Sequence, residues 1–158
     1  ENVEEFSLSL EGGPAYDEML ETLRTQLLSI DPASVRSARD LFGGPVSDID
    51  DAAVAPVDAT FMLANVCRGL DMGVGGWRDD DQAFLRPWGF DVTDIAVPVG
   101  VWFGDQDLMV PARHGRWLAD HVAGASVRHR PNGGHLSLVF GNFDDLLADI
   151  TKLAGGAW

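Results

Sequence analysis

Near Ile95 the hydrophobic period of this chain changes, and the remainder of the chain holds too few strands to make a sheet by itself. Val97-Pro98-Val99-Gly100-Val101-Trp102-Phe103 is a short continuous apolar run, the pattern of a strand buried on both faces of a parallel sheet. Pro111 then opens a helix carrying Trp117, Leu118 and Val122, and Ala125 to Arg130 reads as a second strand. Asn142 stands where it would cap a final helix, with Phe143, Leu146, Leu147, Ile150 and Leu153 at helical spacing. Strand, helix, strand, helix is a βαβα unit. An independently stable sheet normally needs three or more strands. The expectation is therefore that further strands come from another chain, a removed segment or a second copy.

The stretch before this point reads as helices with tight connections. Pro14 can occupy the first position of a helix, and Tyr16, Met19, Leu20, Leu23, Leu27 and Leu28 come after it at three-to-four spacing. Asp31-Pro32 predicts a second helix through Val35, Ala38 and Leu41, stopped by Gly43-Gly44-Pro45. Asp48 to Leu70 is a third helical stretch, which Pro56 must interrupt because it lacks a donor for the helical ladder. Trp77 to Leu85 predicts a weaker fourth helix. Charge divides the chain at the same place. Residues 1–95 carry 19 acids and 6 bases, whereas residues 96–158 carry 6 acids, 5 bases and all four histidines. The expected organisation is a helical region over 1–94 and an α/β region over 95–158. Groups that titrate near neutral pH are concentrated in the second.

Composition narrows the function classes. A formal net charge of -14 repels nucleic acid and anionic membrane surfaces, so neither is an expected partner. No apolar run approaches the roughly 20 residues of a membrane span. The acidic start, Glu1 to Phe6, is unlike a basic secretory leader. Cys67 is the single cysteine, which leaves no disulfide framework and reads as packing in a helix. These features give the expectation of a soluble cytoplasmic protein. Because the chain begins at Glu1 rather than Met, it is expected to be processed or part of something longer.

Two chemical signals sit at strand ends, where parallel α/β sheets build their sites. Gly104-Asp105-Gln106-Asp107-Leu108-Met109-Val110-Pro111 comes after the apolar strand, and Pro131-Asn132-Gly133-Gly134-His135-Leu136-Ser137 after the second. Singly, the acids read as turn formers and the histidine as a loop residue. Jointly, one strand–helix–strand apart on one sheet edge, an acid and a histidine are the orienting and proton-transferring members of a nucleophilic triad.

This constellation resembles the C-terminal half of the α/β-hydrolase superfamily, in which the chain order is nucleophile, acid, histidine. The resemblance covers nearly the whole chain. Trp88-Gly89-Phe90-Asp91, Val97-Pro98-Val99, Gly104-x-x-Asp107-x-x-Val110-Pro111 and Gly133-Gly134-His135 look like successive landmarks of a bacterial branch. It implies a partial α/β-hydrolase fold: a helical cap over 1–94, then a βαβα unit with two parallel strands. It further implies Asp107 rather than Asp105 as the acid, His135 as the general base, and neither cofactor nor metal. Hydrolysis of an ester, amide or similar bond in a small apolar substrate would be the activity.

The nucleophile of that family sits in a Gly-x-Ser-x-Gly turn, and no serine of this chain is flanked by glycines in that way. The His-Gly oxyanion loop is absent as well. The chain is therefore expected to carry acid and base without nucleophile, to be inactive alone, and to pair with a missing N-terminal half or a second copy. Two alternatives stay open. Asp105-x-Asp107 after an apolar strand resembles the haloacid-dehalogenase-type phosphatases, which hold Mg²⁺ between two acids. A non-catalytic interaction protein, or an inactive hydrolase-like fold, is the other. Trp77, Phe84, Trp88, Trp102 and Trp117 could line an apolar pocket or simply pack a core. The gaps between His114, His121, His129 and His135 do not give a zinc-binding face.

Overall fold

The computed structural model describes residues 2–155, which divide into two compact units. The units interleave along the sequence. One comprises Glu1–Ser34 and Thr60–Phe90, the other Val35–Ala59 and Asp91–Trp158. Residues 35–59, from the acidic helical half of the chain, thus belong with the α/β part.

The first unit is helical. Helices α1 (Asn2–Glu11) and α2 (Pro14–Leu28) are joined by Gly12 and Gly13, both at positive φ, where only glycine is free of strain. Pro14 opens α2 as the sequence predicts. The apolar spacing buries Tyr16 and Leu20 with Val74, and Leu8, Met19 and Trp77 pack around them. Helix α5 (Pro56–Leu70) begins in the second unit and continues into the first, and α6 (Gly75–Phe84) comes next. Arg24 Nε donates to the Leu70 carbonyl at 2.8 Å, tying α2 to the end of α5. Cys67 is half-buried. Helix α1 was not expected from the sequence.

In the second unit, the predicted helix after Asp31-Pro32 is broken. Its start, Pro32–Ser34, is one tight turn in the first unit, and α3 (Ala38–Phe42) begins only after Ser37. The reason is local. Ser37 accepts the Asp40 amide while the Asp40 carboxylate accepts the Ser37 amide, a capping box that starts a new helix. Helix α4 (Asp48–Ala53) is capped by Ser47 and ends before Pro56, as expected.

Strands β1 (Gly100–Gly104) and β2 (Ser126–Arg130) pair in parallel, Gly100 opposite Ser126 and Gly104 opposite Arg130, across the intervening helix α7 (Ala112–His121). β1 starts three residues later than the apolar run. Pro98 has no amide to donate, and the pairing begins where the Ser126 N–H donates to the Val99 carbonyl at 2.8 Å. Val101 and Phe103 are buried, but Trp102 is only half-buried and β2 is nowhere fully buried, so burial on both faces is incomplete. Helices α8 (Ser137–Phe140) and α9 (Phe143–Leu153) close the unit. Asn142 precedes α9 without capping it, since its side-chain amide donates to the Ser137 carbonyl at 2.8 Å instead. Phe143, Leu147 and Ile150 of α9 are exposed, whereas Asp149 is buried. The mixed α/β character expected from the sequence is present. It is mostly helical, with a two-stranded parallel sheet among the described residues.

Candidate functional site

Parallel pairing places the ends of β1 and β2 side by side, so the loops after them share one sheet edge. Backbone contacts hold these loops together. The Asp105 N–H donates to the Arg130 carbonyl at 3.3 Å, and the Gln106 N–H donates to the Gly133 carbonyl at 2.9 Å. The approach is close enough that a Cβ on Gly104 would overlap the Gly133 carbonyl. Glycine at 104 is therefore required by space.

Asp107 and His135 meet in this edge. His135 Nδ1 lies 3.0 Å from Asp107 Oδ2. The other oxygen, Oδ1, accepts the backbone N–H groups of Met109 at 2.9 Å and Val110 at 2.7 Å, which holds the carboxylate to its own turn. The Asp107 side chain is 6% exposed and that of His135 is 40% exposed. The acid is thus enclosed while part of the imidazole stays open to a reacting group. A carboxylate fixed in this way can hold Nδ1–H and stabilise the imidazolium when the other ring nitrogen takes up a proton.

Asp105 turns to different partners. It forms an ion pair with Arg116 of α7, and its Oδ2 lies 2.8 Å from His129 Nε2 on β2. The ring of His129 stacks on Phe103 at 5.0 Å between centroids. Read from sequence, Asp105 serves only its turn. That reading needs correcting, since Asp105 bridges α7 and β2. The two acids of Asp105-x-Asp107 are consequently engaged with separate cations or turns. Among the described residues no group of three or more His, Cys, Asp and Glu side chains is arranged to hold a metal.

Asp50 joins the site without having been singled out by sequence. It lies in α4, is 0% exposed, and reaches the histidine loop. Its Oδ2 accepts the His135 N–H at 2.9 Å and the Ser47 hydroxyl at 2.8 Å, and its Oδ1 accepts the Ser137 N–H at 2.8 Å. Burial pushes the Asp50 carboxyl up, but the hydrogen bonds from Ser137, Ser47 and His135 outweigh it and hold the group below the ordinary carboxylate range. Ser137 Oγ accepts the Gly134 N–H at 2.7 Å, so this serine secures the loop. A serine three residues before an acid in Ser47-Asp48-Ile49-Asp50 is a capping signal. Nothing local indicates that the acid also reaches a loop 85 residues on.

A cleft of about 480 Å³ in the same unit is lined by Ile49, Ala53, Arg130, Asn132, Ser137 and Asn142 among others. None of the aromatic residues considered as pocket walls lines it. Trp77 instead donates to Glu5 at 2.7 Å, Trp88 lies beside Phe90, Trp102 lies beneath Arg130, and Trp117 stacks on His121. Phe84 meets Phe6 edge to face. Among the described residues no helix is long and apolar enough to cross a membrane. No known family model matches the chain, and neither a curated protein nor a solved structure is found to be similar to it.

Proposed function

We propose that this chain is the C-terminal part of a serine-type α/β hydrolase, with Asp107 as the acid and His135 as the base of a triad whose nucleophile lies in another segment. The observation that carries the reading is the 3.0 Å approach of His135 Nδ1 to Asp107 Oδ2 across two loops that succeed adjacent parallel strands. In the reaction, the nucleophile's hydroxyl would give its proton to the free imidazole nitrogen as it attacks an ester, amide or similar carbonyl. His135 would then return that proton to the leaving group. Asp107 keeps the tautomer and balances the imidazolium charge, and no cofactor enters. A cytoplasmic setting accords with the single thiol, Cys67.

Two measurements test this. The 158-residue chain should neither hydrolyse a p-nitrophenyl ester above buffer nor take a fluorophosphonate label, because it offers no Gly-x-Ser-x-Gly nucleophile. Stoichiometric labelling of any of its serines would sink the reading. Joined to the segment that precedes it in the intact protein, the chain should be active. There Asp107→Asn should lower kcat by about 10⁴-fold, the cost of a mis-set tautomer, with His135→Gln at least as severe. Full activity in either variant would remove the residue from its assigned role.

A further inference from the structure

Between the end of β2 at Arg130 and the start of α8 at Ser137, the chain has no ladder partner, yet its histidine must present one ring nitrogen to Asp107. The front of this loop is tied at Gly133, whose carbonyl accepts from Gln106 and whose N–H donates to Arg130 at 2.9 Å. Its back is tied by Ser137, whose Oγ accepts the Gly134 N–H, and from outside the loop by Asp50 of α4. We propose that Asp50 is a positioning residue for the base: its buried carboxylate clamps the backbone at His135 and Ser137 so that the imidazole Nδ1 faces Asp107.

Three observations support the clamp. First, each oxygen of Asp50 takes one amide of the loop, His135 on Oδ2 and Ser137 on Oδ1, so the carboxylate spans the histidine. Second, the fit leaves no slack, because a Cβ on Gly134 would overlap both carboxylate oxygens. Third, the donors to Asp50 are the His135 and Ser137 backbone amides with the Ser47 and Ser137 hydroxyls, all neutral. A fully buried acid is costly unless such bonds compensate it, and hydrogen bonds to an ionised acceptor are the stronger kind. An asparagine at 50 carries a donating nitrogen in place of one acceptor oxygen, so in the same position it would face one of the two amides with a donor.

This inference rests on the reading of Asp107 and His135 as an acid–base pair, and the test separates the two. The ring nitrogens of His135 are observed by ¹⁵N NMR in the 158-residue chain, at a pH where the imidazole is neutral. The wild type should show the Nδ1–H tautomer, and Asp107→Asn should lose it. Asp50→Asn should lose it too while the amide spectrum remains that of a folded chain with Asp107 in place. A purely stabilising role for Asp50 would lower the melting temperature and leave the tautomer unchanged. Retention of the Nδ1–H signature in folded Asp50→Asn therefore overturns the positioning role and leaves the pair intact. If Asp107→Asn has no effect on the tautomer, the pair itself fails and the inference falls with it. Should Asp50→Asn not fold, Ser47→Ala decides. It keeps the carboxylate but removes the hydroxyl that steadies it, so partial loss of the signature supports the clamp and full retention overturns it.

Discussion

At the scale of single residues, Tyr16 shows how burial and one acceptor set a side chain's chemistry. Its hydroxyl is enclosed in the first unit and donates to Asp81 Oδ2 at 2.5 Å. Burial, then the hydrogen bond to Asp81, push the phenol up to about 12. The native state thus holds this proton more tightly than the unfolded chain. The resulting stabilisation is complete below about pH 10 and is lost as the pH rises towards 12. Tyr16 is the only tyrosine, so the phenolate absorbance of the folded chain reports it alone. Its midpoint should lie near 12, and a midpoint at the ordinary value of about 10 would contradict the assignment. Tyr16→Phe should remove the alkaline loss of stability. It should also cost about 1–3 kcal/mol at neutral pH by taking a donor from the buried Asp81 carboxylate, measured by denaturant unfolding.

At the scale of elements, two glycines of β1 make a paired test of what positions the site. Gly104 faces the Gly133 backbone with no room for a methyl group, whereas the nearest atom to a Cβ on Gly100 is Leu153 Cδ1 at 3.2 Å, the far end of a movable side chain. Gly104→Ala should therefore destabilise the second unit by about 1–3 kcal/mol and speed hydrogen exchange at the Gln106 amide, which donates to Gly133. Gly100→Ala should be far milder on both counts. Equal denaturation midpoints for the two variants would show that the Gly104–Gly133 contact does not hold the loops. The orientation of α9 is set by polar demand of the same kind. Asp149 is buried because Trp102 Nε1 donates to it at 3.1 Å and Arg128 forms an ion pair with it. That places Phe143, Leu147 and Ile150 on the exposed side, although their spacing alone marks them as a core face.

At the scale of the whole molecule, the sheet and the exposed apolar residues point to the same behaviour. Two parallel strands fall below the three normally needed for independent stability, and each has one strand partner among the described residues. Strand edges of this kind recruit further chain. The 158-residue chain alone is expected to sediment as a dimer or larger species. A well-folded monomer at micromolar concentration would contradict this. A charge of -14 opposes association through repulsion, so added salt should shift the equilibrium towards the larger species.

The sequence alone determined most of the element types and the placement of Asp107 and His135. Proline positions, glycine stops and three-to-four spacing are local quantities. A strand–helix–strand crossover also leaves little choice but to set the loops after both strands on one edge. The distinction between Asp107 and Asp105 was legible only through a resemblance, since spacing by itself treats both as turn residues. What Asp105 binds, which side of α9 is buried, and the reach of Asp50 to a loop 85 residues away were decided by the tertiary structure. Each depends on which donors meet a carboxylate after distant segments pack. Residue periodicity records how an element faces apolar surroundings and contains no term for a buried acid satisfied from elsewhere in the chain.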